Sequence, residues 1–292
     1  MPVSRVRLSF QGIRVQAHIY EPEGEVLYRA LFVSSPMGDP ASWAHLLTEL
    51  SQKGILCVSA DLPGFGANPV SKLVPQDNDT RTRILWGILD EIEYKRGEGQ
   101  SKWHLIGHGS GAAAVMTMAL YQPDSTLSRV LLNPVMDRRQ ISPLHPILRT
   151  GFGEKIFTAL CKHFIGKEKP FSRLLTRLYG SPRTKERAQS LYKMMNRKAI
   201  APSLFRNIKE GYQLTDDVYA VSAPVMIIWG ANDRIFGGQI PARLLKRLPG
   251  AEKHVLNCGH MCMETAPNDI GDYLRGWFAF SEGKATNVVK KK

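Results

Sequence analysis

The spacing of apolar residues changes along this chain, and each spacing predicts a different element. Residues 3–20 alternate polar and apolar positions around a Gln-Gly pair, which predicts an antiparallel hairpin with one face in solvent. Residues 30–35 and 55–60 are continuous apolar runs, as in strands buried on both faces of a parallel sheet. Residues 42–52 lie between these runs and are apolar at helical spacing. The segment therefore predicts a β-α-β unit.

The same alternation of strands and helices continues to the end of the chain. Further strands are predicted around 103–107, 128–133, 223–229 and 254–257, and further helices around 80–94, 111–121, 239–248 and 270–280. This order predicts the α/β class with a doubly wound, mostly parallel sheet, whose reactive groups gather at the carboxyl ends of the strands.

One segment interrupts the alternation, because residues 136–215 carry only helical signals. We expect a helical cap there, inserted into a core formed by 1–135 and 216–282, and a disordered basic tail at 283–292. The cap also holds most of the charge. It contains 17 Lys and Arg against 5 Asp and Glu, a net charge of +12 out of +13 for the whole chain.

Composition narrows the class of protein. A chain of 292 residues with 43% hydrophobic content can bury one large core. Its apolar runs are shorter than the roughly 18 residues of a membrane span, and its four cysteines are too few for a disulfide framework. We therefore expect a cytoplasmic protein, with association at the inner face of a membrane as a further option.

Residues 103–114 predict a strand, a glycine-rich turn and an apolar helix, as in a nucleophile elbow of the form G-x-Nuc-x-G. Gly107 and Gly111 set a frame that puts Gly109 at the tip. Ser110 lies one place later, in a frame that would need small residues at 108 and 112 but meets His108. Ser110 is therefore either a nucleophile reached by a one-residue shift of the turn, or the first residue of the helix, where serine is favoured.

Two further loops carry an acid and a base. Asp233 follows one predicted strand and His260 follows the next. Asp233 would accept a hydrogen bond from one ring nitrogen of His260, leaving the other nitrogen to take or give a proton. The alternative is that Asp233 caps a helix and His260 is a polar loop residue. Cys258 and Cys262 flank the histidine, but their spacing matches no common zinc site, so we expect no metal.

These motifs resemble the alpha/beta-hydrolase superfamily over about residues 3–280. The resemblance lies in the order nucleophile, acid, histidine, in Leu-Ile-Gly-His at 105–108 and Trp-Gly-Ala-Asn-Asp at 229–233, and in Ala-Asp-Leu-Pro-Gly-Phe-Gly at 60–66 and Gly-His at 259–260. It implies an eight-stranded central sheet with a helical cap, His260 as general base and Asp233 as its orienting carboxylate. It implies hydrolysis of ester, thioester or related bonds in a small acyl-type or hydrophobic substrate, without a cofactor.

The chain departs from the family pattern at two places. Gly109 stands where the family has Ser, Cys or Asp, and Ser-Pro-Met-Gly at 35–38 stands where most members have His-Gly. Pro36 has no N–H to donate, so the backbone amides of Met37 and Ser110 are the donors expected to bind an oxyanion. His108 is expected to support the pocket wall.

Two classes of function follow from these features. In the first, the chain is an enzyme, either a serine hydrolase using Ser110 or a catalyst in which the His260 and Asp233 dyad acts as a base on an acidic O–H or C–H. In the second, it is an inactive pseudo-hydrolase that serves as a binding protein, scaffold or complex subunit. The retained acid and base favour an enzyme, whereas Gly109 and Pro36 favour the inactive pseudo-hydrolase.

The cap also predicts a partner. Residues 152–166 and 171–179 form two basic amphipathic helices that could together bind an anionic membrane or an acidic carrier protein. Arg173, Arg177, Arg183 and Arg187 are counted among the docking charges. The alternative is that the apolar stripes pack on the core and the charges form a solvated face. Nucleic acid is not expected, because no aromatic platform or groove-reading motif accompanies the charge.

Overall fold

The computed structural model describes residues 3–10, 12–68, 75–136, 152–180, 184–197, 200–212 and 214–285. An eight-stranded sheet lies at its centre in the order β1-β2-β4-β3-β5-β6-β7-β8. The strands are β1 Val3–Phe10, β2 Ile13–Tyr20, β3 Tyr28–Val33, β4 Ile55–Ala60, β5 Trp103–His108, β6 Thr126–Leu132, β7 Val225–Gly230 and β8 Glu252–Leu256.

The β1-β2 hairpin is antiparallel and pairs antiparallel with β4, and all the remaining strand pairs are parallel. The predicted α/β class and mostly parallel sheet are therefore confirmed. Strands β4, β5 and β7 are buried along their whole length, as their continuous apolar runs predict.

Helices cover the sheet. They are α1 Pro40–Gln52, α2 Asn78–Arg96 and α3 Gly111–Tyr121 before β6, and α8 Ala242–Arg247, the single turn α9 Cys262–Thr265 and α10 Pro267–Ser281 after β7. Local chemistry sets their ends: Asp39 caps α1 by accepting a hydrogen bond from the backbone N–H of Ser42, and α2 ends at the left-handed Gly97. The apolar faces predicted for α1 and α2 are buried.

In the described part of the chain between β6 and β7, the structure has four helices, followed by a 3-10 turn at Asp216–Tyr219. They are α4 Gly153–Phe164, α5 Glu168–Tyr179, α6 Lys185–Met195 and α7 Ile200–Glu210, and are called the inserted helices below. Within the predicted cap, residues 137–151 lie outside the described residues, as does Arg183.

The first residues of the predicted tail contact the core. Lys284 donates its backbone N–H to the carbonyl of Ala279 at 2.8 Å, and its ammonium group lies 4.5 Å from the centre of the Tyr28 ring. Residues 283–285 are therefore held against the end of α10, and residues 286–292 lie outside the described residues. In the part of the chain that the structure describes, no helix combines the length and the apolar character that crossing a membrane requires.

Candidate functional site

The turn between β5 and α3 has the geometry of an elbow whose tip is Gly109. Gly109 has φ +53°, in the left-handed region that favours glycine. A Cβ on Gly107 would lie 2.6 Å from Cα of Ala112, and a Cβ on Gly111 would overlap the carbonyl oxygen of Val33. The glycines therefore let strand, turn and helix pack closely, in the frame that Gly107 and Gly111 predict.

The tip faces the histidine. A Cβ placed on Gly109 would lie 3.5 Å from Nε2 of His260 and 2.9 Å from Cβ of Ser35. A side chain at this position would therefore point at the ring nitrogen, which is the geometry that joins a nucleophile to its base. In this chain the elbow presents backbone alone to His260.

Ser110 is the N-cap residue immediately before α3, with φ −72° and ψ −16°, and its side chain makes no capping hydrogen bond. Its hydroxyl is buried and makes no hydrogen bond to His260. It lies beside the Tyr212 hydroxyl, whose pKa burial raises to about 12 although the contact with Ser110 lowers it. Of the two alternatives for Ser110, the structure has the start of the helix.

His260 and Asp233 are brought together. Nδ1 of His260 lies 2.8 Å from Oδ2 of Asp233, and both side chains are buried. The other carboxylate oxygen accepts hydrogen bonds from the backbone N–H groups of Ile235 and Phe236, each at 2.9 Å. Asp233 therefore orders its own turn as well as the histidine, and the helix that follows it begins only at Ala242.

The surroundings of Asp233 keep it ionised. Burial raises the pKa of this carboxyl, but its hydrogen bond to His260, the charge of that ring and the two backbone N–H groups together hold the pKa below its ordinary value. A carboxylate at Nδ1 favours the tautomer with the proton on that nitrogen. Nε2 then carries a lone pair directed at the elbow tip.

Asn133, which the sequence pattern did not single out, completes the support of the acid. Its Nδ2 donates to Oδ2 of Asp233 at 3.0 Å, from a backbone with φ +41°. Asparagine adopts the left-handed region more readily than most residues. The signal in the sequence is that Asn133 is a polar residue directly after an apolar strand, at the end of the sheet where the other candidate groups lie.

His108 holds the backbone of the loop that carries His260. Its Nε2 lies 3.0 Å from the carbonyl oxygen of His260, and the two rings are 4.8 Å apart. Burial, and then the charge of His260, lower the pKa of His108 to about 3. The ring is therefore neutral at pH 7. Its Nε2–H donates to the carbonyl oxygen of His260 and so helps to fix the position of that residue.

Ser35 is the second group that the sequence pattern did not single out. Its hydroxyl is buried, has no hydrogen-bond partner among the described residues, and lies 3.6 Å from the Cβ position of Gly109. Ser35 Oγ and His260 Nε2 thus both lie within 3.6 Å of one point above the elbow tip. The sequence of the altered 35–38 loop indicates only backbone donors, so the role of this hydroxyl emerges from the fold.

The expected oxyanion donors keep their N–H groups free. The loop closes through a hydrogen bond from the backbone N–H of Gly38 to the carbonyl of Ser35 at 2.9 Å. Within the described ranges, the backbone N–H groups of Met37 and Ser110 donate to no protein acceptor. Both remain available for a developing negative charge.

Arg187 differs from the expectation that it belongs to a docking surface. Its two terminal nitrogens each donate to an Asp39 oxygen at 2.8 Å, and the same side chain contacts Glu264 at 2.6 and 3.1 Å. Glu264 also accepts a hydrogen bond from the Tyr179 hydroxyl at 2.8 Å. Arg187 therefore joins α6 to the start of α1 and to the turn after His260, and its charge is neutralised inside the protein.

The two cysteines beside the histidine are buried, at 4% and 0% exposure for Cys258 and Cys262. Among the residues that the structure describes, no group of three His, Cys, Asp or Glu side chains is placed to hold a metal ion.

Comparison with known proteins finds relatives that are named hydrolases. The chain is 25% identical to the Bacillus subtilis (strain 168) protein named uncharacterized hydrolase YugF, over 92% of this chain and 95% of the relative. It is 26% identical to a Burkholderia vietnamiensis 2-hydroxy-6-oxononadienedioate/2-hydroxy-6-oxononatrienedioate hydrolase, over 75% of each. Among solved structures, a 2-hydroxy-6-oxo-6-phenylhexa-2,4-dienoate hydrolase from Rhodococcus sp. strain RHA1 superposes with a TM-score of 0.72 at 17% identity, covering 97% of this chain and 99% of that one.

The family model also covers most of the chain. The model described as the alpha/beta hydrolase fold matches residues 33–267, a range that begins at the end of β3 and includes the elbow, Asp233 and His260. The chain belongs to the alpha/beta hydrolase fold family.

Proposed function

We propose that this chain hydrolyses ester, thioester or related carbonyl bonds by using the His260 and Asp233 dyad to activate water directly, without a covalent intermediate. The observation that carries the proposal is the 3.5 Å separation of His260 Nε2 from the Cβ position of Gly109. The base therefore faces the place where a nucleophilic side chain would stand, and that place holds no side chain.

The reaction follows from the dyad. Nε2 of His260 takes a proton from water while the water oxygen attacks the substrate carbonyl carbon, and Asp233 stabilises the imidazolium that results. The carbonyl oxygen gains negative charge and accepts hydrogen bonds from the free N–H groups of Met37 and Ser110. When the tetrahedral adduct collapses, the imidazolium returns the proton to the leaving oxygen or sulfur, which restores the starting state of the dyad.

Ser35 has a positioning role in this scheme. Its hydroxyl faces the same point as Nε2 and has no partner in the described part of the chain, so it can hold the attacking water in line with the base. A neutral imidazole is a moderate base, so we expect the substrates to be acyl groups with a good leaving group.

The experiment that tests the proposal combines turnover with a search for an acyl-enzyme. With p-nitrophenyl acetate and short-chain thioesters, we expect steady turnover without a burst phase, no acyl adduct by intact mass, and no inhibition by a fluorophosphonate. An adduct on Ser110 or Ser35 would show a covalent mechanism instead. Absence of turnover on the whole panel would favour the binding-protein alternative, which the missing nucleophile at Gly109 supports.

Gly109→Ser is expected to restore a nucleophile only when space is made for it. In the single variant the new Cβ would lie 2.9 Å from Cβ of Ser35 on a backbone with positive φ, so we expect a loss of about 1–3 kcal/mol of stability. Adding Ser35→Gly removes the clash, and we expect this double variant to become labelled by a fluorophosphonate at the introduced hydroxyl. Denaturant unfolding and peptide mapping measure the two effects.

Ser35→Gly alone is the matched control, because it opens the same space without adding a nucleophile, and we expect it to stay unlabelled. A single Gly109→Ser variant with parental stability would show that the 35–38 loop already leaves room for the side chain.

A further inference from the structure

Helix α4 carries a row of large apolar side chains that face outward. Phe152, Ile156, Leu160 and Phe164 recur every four residues and are 72, 44, 41 and 51% exposed. Most other large apolar side chains in the described ranges are buried, and the remaining exposed ones lie apart on other elements. Single exposed apolar residues are common on protein surfaces, but four in a row on one helix form a continuous apolar patch. Such a patch marks a surface that binds another apolar partner.

The same helix is held to the protein by its other side. The Phe157 ring packs 5.8 Å from the Phe205 ring of α7, and Cys161 and Ile165 contact the core. The outward row is therefore not needed to attach α4.

Lysines border the exposed row. Lys155 and Lys162 are exposed and, with Glu154, Thr158 and Ala159, line a depression of about 490 Å³. The ammonium group of Lys155 lies 6.0 Å from the centre of the Phe152 ring, so charge and apolar surface meet at the same edge. Lys167 and Lys169 follow at the start of α5 and are also exposed.

Helix α5 differs from α4, although both show the same pattern in sequence. Its apolar residues Phe171, Leu175 and Leu178 are 2, 1 and 4% exposed, so its apolar face packs on the core. Of the two helices expected to dock, only α4 therefore has an exposed apolar face. The apolar stripe of α5 packs on the core, as the alternative drawn from the sequence has it.

We propose that α4 lies in the interface of an anionic lipid bilayer, with its apolar row among the acyl chains and Lys155 and Lys162 at the lipid phosphates. Charge complementarity favours a lipid bilayer over an acidic protein as the partner. An apolar row edged by lysines matches the boundary between acyl chains and anionic headgroups. An acidic protein surface would match the lysines but would leave Phe152 and Phe164 against polar groups. The proposal stands independently of the reaction at His260.

The test is co-sedimentation of the full chain with vesicles of phosphatidylcholine alone or mixed with phosphatidylglycerol. We expect binding to the anionic vesicles that weakens as salt is raised. Each lysine at an anionic leaflet contributes roughly fivefold in partitioning, so K155Q/K162Q is expected to bind about thirtyfold more weakly. F152S/F164S, which removes the two most exposed residues of the row, is expected to abolish binding.

Two control variants change exposed residues outside the inserted helices. K53Q/K102Q removes two exposed lysines and Tyr94→Ser removes a side chain that is 81% exposed, and both are expected to bind like the parent. Equal binding of parent and α4 variants, or no binding of the parent at low salt, would overturn the proposal. Binding to an acidic carrier protein but not to vesicles would overturn it as well.

Discussion

Replacing His260 with alanine is expected to lower kcat/KM by about 10²–10⁴-fold on any ester or thioester that the chain hydrolyses, because the base that faces the elbow tip is removed. The fold should survive the change. Asp233 keeps its hydrogen bonds from Asn133, Ile235 and Phe236, so its buried carboxylate is not left without partners. Steady-state kinetics and a thermal melt separate the two effects.

Asp233→Asn gives the matched comparison, because it keeps the shape of the side chain and removes the charge that sets the histidine tautomer. Since Asp233 and His260 act as one unit, we expect the variant that combines Asp233→Asn with His260→Ala to be no slower than His260→Ala alone. Ser110→Ala is expected to leave the rate unchanged. Turnover that persists in His260→Ala would refute the assignment of the dyad, whereas a loss in Ser110→Ala would favour the serine mechanism.

Arg187→Met is expected to cost about 3–5 kcal/mol of unfolding free energy, which is the usual effect of removing one partner from a buried ion pair. The side chains of Arg187, Asp39 and Glu264 are 16, 12 and 12% exposed, so the two carboxylates would lose their cation with little water to replace it. Denaturant unfolding at pH 7 measures the loss. Arg177→Gln, an exposed arginine on α5, is the control and should change stability by less than about 0.5 kcal/mol.

The cost of Arg187→Met should also depend on pH. Burial raises the pKa of Asp39, but hydrogen bonds from Arg187, its charge and hydrogen bonds from Ser42 together lower the pKa below its ordinary value. A carboxyl with a lowered folded-state pKa stabilises the fold above the pKa of the unfolded chain and loses that contribution as pH falls through the folded value. The difference between parent and variant should therefore be largest near neutrality and shrink below about pH 4. A difference that is constant with pH would show that Arg187 acts through packing alone.

Much of the sheet and the centre of the site could be predicted from local pattern. Short apolar runs indicate the buried strands, and the spacing of Gly107 and Gly111 indicates where the turn has its tip. Asp233 and His260 could be paired because each follows a parallel strand, and the ends of parallel strands lie at one edge of a sheet.

The remaining parts of the site depend on contacts between distant segments. Ser35 follows β3 and Asn133 follows β6. Both lie near the dyad because of the order of the strands in the sheet, which the apolar pattern does not specify. Arg187 looks like any other basic residue of a charged segment until Asp39 and Glu264 are placed beside it. Helices α4 and α5 show that helical spacing reveals an apolar stripe but not what the stripe faces.

The close approach between the end of α5 and the loop that carries His260 bears on how such proteins diversify. A Cβ on Gly259 would overlap the backbone of Tyr179, and the backbone N–H of Met261 donates to the carbonyl of Leu178 at 3.2 Å. The residues on both sides of His260 are thus set against backbone from the inserted helices, not against exchangeable side chains. Replacing these helices with those of a relative would therefore also replace backbone that fixes the position of His260.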